Sequence, residues 1–81
     1  MERIKEKNFV AGIKQTKKAV LKDEAYLVYI ACDADEHTTR PIKNLCIESE
    51  VETVCDATMK EIAKACGIDV PTAAAALLKD A

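Results

Sequence analysis

Seven consecutive residues, Gly12-Ile13-Lys14-Gln15-Thr16-Lys17-Lys18, hold the clearest chemical signal in this chain of 81 residues. A glycine directly before a helix lets another backbone come close. The free N–H groups of a first helical turn attract an anion such as a phosphate. Lys14, Lys18 and Lys22 follow one stripe, with Gln15 beside them. Lysine can donate to guanine O6 and N7, and a glutamine amide both donates and accepts at a base edge. Lys17 and Lys22 suit backbone phosphates. The same pattern also fits an ordinary solvated basic face.

A second segment, Gly67-Ile68-Asp69-Val70-Pro71, puts two branched apolar side chains and a proline in a loop. One use is to stack against an unstacked base of single-stranded or bulged RNA. The other is for Ile68 or Val70 to fold back onto the core. Asp33 and Asp35 follow an apolar run, at the strand end where α/β sheets carry sites. With no second acidic cluster they read as a turn and a helix cap. Cys32, Cys46, Cys55 and Cys66 each lie in an apolar stretch without a CxxC pair, and His37 has no partner at metal-ligand spacing. The four thiols are therefore expected to be reduced, buried small hydrophobes, and no metal is expected. One histidine, with no Ser or Cys in an elbow motif, leaves no nucleophile–base pair to assemble. A non-catalytic protein without a cofactor is the expectation.

These residues need elements to hold them. Phe9-Val10-Ala11 is the first apolar run. On a helical wheel, Lys14, Gln15, Lys17, Lys18 and Lys22 fall on one side and Ile13, Thr16, Ala19 and Val20 on the other. Residues 14–22 thus read as a helix, apolar inside and basic or amide outside. Ala25 to Cys32 is a continuous apolar run rich in β-formers and reads as a central strand covered on both faces. Asp33-Ala34-Asp35 ends it. Thr38 or Thr39 is expected to cap the next helix, with Pro41 in its first turn and Ile42, Leu45, Cys46 and Ser49 at helical spacing. Val51 to Cys55 reads as a short strand and Asp56 or Thr58 as the cap of a third helix. That helix carries Met59, Ile62, Ala63 and Cys66 on one face and stops at Gly67. Thr72 to Leu78 is rich in alanine, which favours helix locally, but its length and position suit a final strand between helices. The alternation predicts an α/β fold, a three-layer α/β/α sandwich with a small four-stranded mixed sheet. It is expected to form one domain over residues 1–81, with residues 1–8 frayed.

The composition, 49% apolar and 32% charged, is that of a soluble globular chain rather than a disordered one. No run approaches the ~18 apolar residues of a membrane span. The charged start MERIKEKNF lacks the apolar core of a secretory signal, so a cytoplasmic protein with no membrane partner is expected. The net charge of −2 is unevenly spread, with seven Lys/Arg against two Glu in residues 1–22 and five against twelve Asp/Glu in residues 23–81. A cationic segment on an acidic body still permits a nucleic-acid partner, because lysines act on phosphates within a Debye length of about 8–10 Å.

Taken in order, three segments resemble a known family: Gly12-Ile13-Lys14-Gln15-Thr16-Lys17-Lys18-Ala19, Ala31-Cys32-Asp33-Ala34-Asp35, and Met59-Lys60-Glu61-Ile62-Ala63-Lys64-Ala65-Cys66-Gly67-Ile68-Asp69-Val70. With the alanine-rich strand that follows, they resemble the archaeal and eukaryotic kink-turn-binding ribosomal proteins (the large-subunit seven-Ae type), most closely their small bacterial branch. The likeness runs from Val10 onward, and the combination is specific where each piece alone is weak. It implies an α/β/α sandwich that recognises the kink-turn, an RNA duplex bent sharply at a bulge followed by tandem sheared G·A pairs. It further implies that Gly12 and the helix start approach the RNA backbone, and that Lys14, Gln15 and Lys18 reach the guanine edges. Ile68-Asp69-Val70 with Pro71 would pack against the flipped-out bulge nucleotides. The implied partner is RNA, in the ribosome or another ribonucleoprotein, bound by a monomer.

Two segments depart from the family pattern. Lys14-Gln15 stands where archaeal and eukaryotic members have Asn-Glu; lysine strengthens attraction to phosphate, and glutamine keeps hydrogen bonding without a carboxylate's repulsion. Thr38-Thr39-Arg40-Pro41 differs at its helix start. A second reading, drawn from the acidic body beyond Asp23, is a protein-interaction module of the same fold without RNA binding. Such a module has no need of Lys14, Gln15 and Lys18 at that spacing.

Overall fold

The alternation of apolar runs and amphipathic segments resolves into β1 (Phe9–Ala11), α1 (Ile13–Leu21), β2 (Ala25–Ala31), α2 (Glu36–Glu48), β3 (Glu52–Ala57), α3 (Met59–Cys66) and β4 (Ala74–Leu78). The structure, a computed structural model, describes residues 8–79. Strand order is β1-β4-β2-β3, with β4 antiparallel to both of its neighbours and β2 parallel to β3. The helices α1 and α2 cover one face and α3 the other, which makes the molecule a three-layer α/β/α sandwich on a four-stranded mixed sheet.

Period-two alternation explains how the two inner strands feed both layers. In β2, Val28 and Ile30 meet Val20, Ile42 and Cys46, whereas Tyr29 and Ala31 meet Ile62 and Cys66. In β4, Ala74 and Ala76 join the first group and Ala75 and Leu77 the second, all four at 0% exposure. Pairing on both edges and cover on both faces override alanine's local helix preference.

Several boundaries differ from the sequence expectation. α2 is capped by Asp35, whose Oδ1 accepts the His37 N–H at 3.0 Å, and not by Thr38 or Thr39. A carboxylate at the N-cap satisfies a free amide and also meets the positive end of the helix dipole. The helix thus begins at Glu36 and Pro41 lies inside it, exposed. The proline withdraws one helical hydrogen bond, from the carbonyl of His37. Of the two alternatives for the third helix, Thr58 is the cap, in a reciprocal box with Glu61, while Asp56 belongs to β3. Phe9-Val10-Ala11 supplies the fourth strand. The expected fraying of residues 1–7 lies outside the described residues; Asn8 is held, its carbonyl accepting the Leu78 N–H at 2.9 Å.

The four thiols are free, but only Cys46 and Cys66 are buried. Cys32 and Cys55 are exposed, which corrects the expectation of four packed cysteines. Cys32 falls one residue beyond β2, in the turn, and Cys55 lies on β3, an edge strand paired with β2 alone. Burial pushes the Cys46 and Cys66 thiols above their ordinary value, and the neighbouring Cys55 adds to the effect at Cys46.

Candidate nucleic-acid interface

Gly12 joins β1 to α1 with φ 107° and ψ 157°, a backbone conformation that favours glycine. A Cβ at this position would come within 2.9 Å of Gln15 Oε1. The missing side chain therefore leaves room for Gln15 to lie over the start of its own helix. Gly12 donates its N–H to the Ala74 carbonyl at 2.8 Å and accepts the Thr16 N–H at 3.0 Å. The first-turn amides of Ile13, Lys14 and Gln15 have no carbonyl one turn earlier to bond. No side chain caps them and no acidic residue stands in the first turn. This end of α1 is consequently electropositive and open to an anion.

Lys14, Gln15, Lys17, Lys18 and Lys22 are all exposed, while Thr16, Ala19 and Val20 are buried, as the helical wheel requires. Among the described residues none of the four lysines forms an ion pair. Gln15, Lys18 and Lys22 line one shallow groove of about 140 Å³ with Val10, Ala19 and Glu24, and Lys14 and Lys17 stand outside it. The outer face is not wholly basic or amide, however. Leu21 is 64% exposed between the lysines.

The loop after α3 opens at Gly67, which takes the left-handed conformation (φ 74°) as the helix C-cap. Ile68, Asp69, Val70 and Pro71 are exposed, Val70 at 70%, so the fold-back alternative does not hold. The next residues return to the sheet. Ala73 accepts the Ala31 N–H and Ala74 accepts the Gly12 N–H, each at 2.8 Å. The apolar loop and the start of the basic helix are thus brought to the same end of the sheet.

Asp33 and Asp35 serve as turn and cap residues. Asp35 caps α2, and Asp33 Oδ1 accepts the Met59 N–H, the first amide of α3, at 2.8 Å. Among the described residues no group of three His, Cys, Asp or Glu side chains is arranged to hold a metal, and no helix is long and apolar enough to cross a membrane.

A family model covers residues 2–81, nearly the whole chain. The chain belongs to the ribosomal protein L7Ae/L30e/S12e/Gadd45 family. Among its relatives in this family are an RNA-binding protein of Caldanaerobacter subterraneus subsp. tengcongensis, 51% identical over 67 residues (83% of this chain and 82% of that one), and an RNA-binding protein of Bacillus pumilus, 37% identical over 71 residues (88% and 87%). A solved structure of the Giardia lamblia 15.5 kD RNA-binding protein superimposes with a TM-score of 0.84 at 28% identity. The match covers 90% of this chain but only 62% of the Giardia protein. A Bacillus halodurans protein of unknown function shares the fold at TM-score 0.84 and 18% identity, over 95% of this chain and 77% of that one.

Two features of this L7Ae-family chain carry no clear sequence signal. One is the Asp33–Met59 hydrogen bond, which joins residues 26 positions apart. The other is the buried hydroxyl of Thr72, which donates to the Ala74 carbonyl at 3.1 Å. A threonine just before an apolar strand gives no hint of either bond.

Proposed function

We propose that this chain is a non-catalytic RNA-binding protein that recognises and stabilises kink-turns in ribosomal or regulatory RNA, acting as a cytoplasmic monomer. The observation that carries the reading is the joining of two unlike surfaces through Gly12 and Ala74: an uncapped helix start bearing lysines, and an exposed apolar loop. Each suits a different part of one RNA shape. The open amides beside Gly12 attract a phosphate where the strands bend. Lys14, Gln15 and Lys18 reach the guanine edges of sheared pairs in the opened groove, while Lys17 and Lys22 meet backbone phosphates. Ile68, Asp69, Val70 and Pro71 pack against unstacked bulge nucleotides, the kind of target that sequence-specific RNA proteins favour. The relatives named as RNA-binding proteins support the same reading.

The test is a gel-shift titration on a kink-turn RNA and on the same duplex with its G·A pairs replaced by Watson–Crick pairs. Clear preference for the kink-turn is expected. Equal binding to both sinks specific recognition, and binding to neither leaves a protein-interaction module on this fold.

A further inference from the structure

We infer that Thr72 is a positioning residue for RNA recognition, holding the apolar loop in fixed register with the start of α1 so that the two act as one surface. The inference rests on the RNA-binding reading above and adds a residue that touches no RNA. Thr72 is buried at 8% exposure, in a chain where the neighbouring Ile68–Pro71 are all exposed. Its hydroxyl donates to the Ala74 carbonyl at 3.1 Å, and the same carbonyl receives the Gly12 N–H at 2.8 Å. A carbonyl oxygen has two lone pairs, and here both are used. One holds the loop and the other holds the helix start.

The tether extends on the loop's other side. Thr72 donates its N–H to the Met59 carbonyl at 3.3 Å, and Met59 donates its own N–H to Asp33 at 2.8 Å. The loop entrance is pinned separately, by Gly67 N–H to Lys64 at 3.1 Å and Ile68 N–H to Ala63 at 3.0 Å. Ile68 to Pro71 thus span two fixed points. The hydroxyl that ties the exit pin to Ala74 belongs to Thr72. Without it, the Ala74 carbonyl still binds Gly12, but the loop loses its direct link to that junction.

Thr72→Val keeps the side-chain shape and removes the donor, whereas Thr72→Ser keeps the donor and drops a methyl. Both would be titrated against the kink-turn RNA and the Watson–Crick control duplex, with thermal melts and amide spectra recorded alongside. Thr72→Val is expected to lose about five- to tenfold in kink-turn affinity, little on the control, and Thr72→Ser to stay within about twofold of the unmutated protein. The amide signals of Gly12 and of residues 68–70 should shift in Thr72→Val while those pairing β2 with β3 stay in place. If Thr72→Val melts too low to titrate, Thr72→Ala is read at low temperature on the same two RNAs. Undiminished kink-turn affinity in Thr72→Val overturns the inference, as does an equal loss on both RNAs or failure of Thr72→Ser to restore binding. A missing preference in the unmutated protein is a separate observation, and it removes the RNA reading itself.

Discussion

Gln15 and Lys22 line the same groove yet should contribute in different currencies of specificity. Gln15 is neutral and lies over the Gly12 backbone, so under the proposed function its worth depends on hydrogen bonds to a base edge. Gln15→Ala is expected to cost about 1–3 kcal/mol on RNA with intact sheared pairs and little on a duplex without them. Lys22 is the C-cap of α1, at the far end of the helix from Gly12. Lys22→Ala should weaken both RNAs alike and reduce the salt slope by roughly one, because counterion release follows charge and not sequence. Titrations at several salt concentrations check both, and an unaltered preference in Gln15→Ala would reduce α1 to an electrostatic anchor. At this scale the exposure of the polar candidate residues was largely legible. The 3.6-residue period alone exposes the lysines, since the buried side must hold Thr16, Ala19 and Val20. What the period could not decide was the fate of single apolar residues. Leu21, Ile68 and Val70 each suit a core or a surface, and their exposure is set by where the helix ends and where Thr72 anchors the chain.

The helix starts at this end of the sheet differ in how they meet charge. α1 begins without a cap, while α3 begins in a reciprocal box: Glu61 N–H donates to Thr58 Oγ1 at 3.1 Å and Thr58 N–H to Glu61 Oε1 at 3.0 Å. The Thr58 backbone bond, with the side-chain bond second, holds the Glu61 carboxyl below its ordinary 4.5. A carboxyl lowered in the folded state adds stability above the unfolded value, and that contribution disappears as the pH falls through the folded one. Thermal melts should therefore fall below pH 4.5 in part through this cap. Glu61→Gln retains a hydrogen-bond acceptor without the charge or the titration, so it should melt somewhat below the unmutated protein at neutral pH and flatten that part of the acid fall. An acid profile identical to that of the unmutated protein would show that the carboxylate carries none of it. Element existence was legible because caps and periods agree locally: Thr58 with Glu61, Gly67 as a stop, and the apolar run of β2. The start of α2 was not, because Thr38, Thr39 and Pro41 are all good helix-start residues and Asp35 competes with them. Asp35 wins by placing its carboxylate on the His37 amide.

Across the whole molecule, the electropositive helix start and the loop share one end of the sheet because β4 runs between β1 and β2. The chain at its start bonds to both sides: Ala73, just before the strand, to Ala31, and Ala74 to Gly12, just past β1. No local pattern specifies that insertion. It follows from long-range pairing, in which the last of the described strands enters the centre of the sheet. The strand's order is therefore a test of the architecture. Alanines supply little cross-strand packing of their own and locally prefer helix, so β4 is held by its two neighbours and by the helices over both faces. Such a strand has no independent way to open, and its amides should exchange only when the whole sheet does. β3 is paired on one edge alone, with Thr53 and Cys55 exposed. Hydrogen exchange is thus expected to be slowest, and at a common rate, in Val28–Ala31 and Ala74–Leu77, and faster in Thr53–Cys55. Faster exchange in β4 than in β3 would mean that the alanine strand opens locally, and the rigid junction between Gly12 and Ala74 would lose its support.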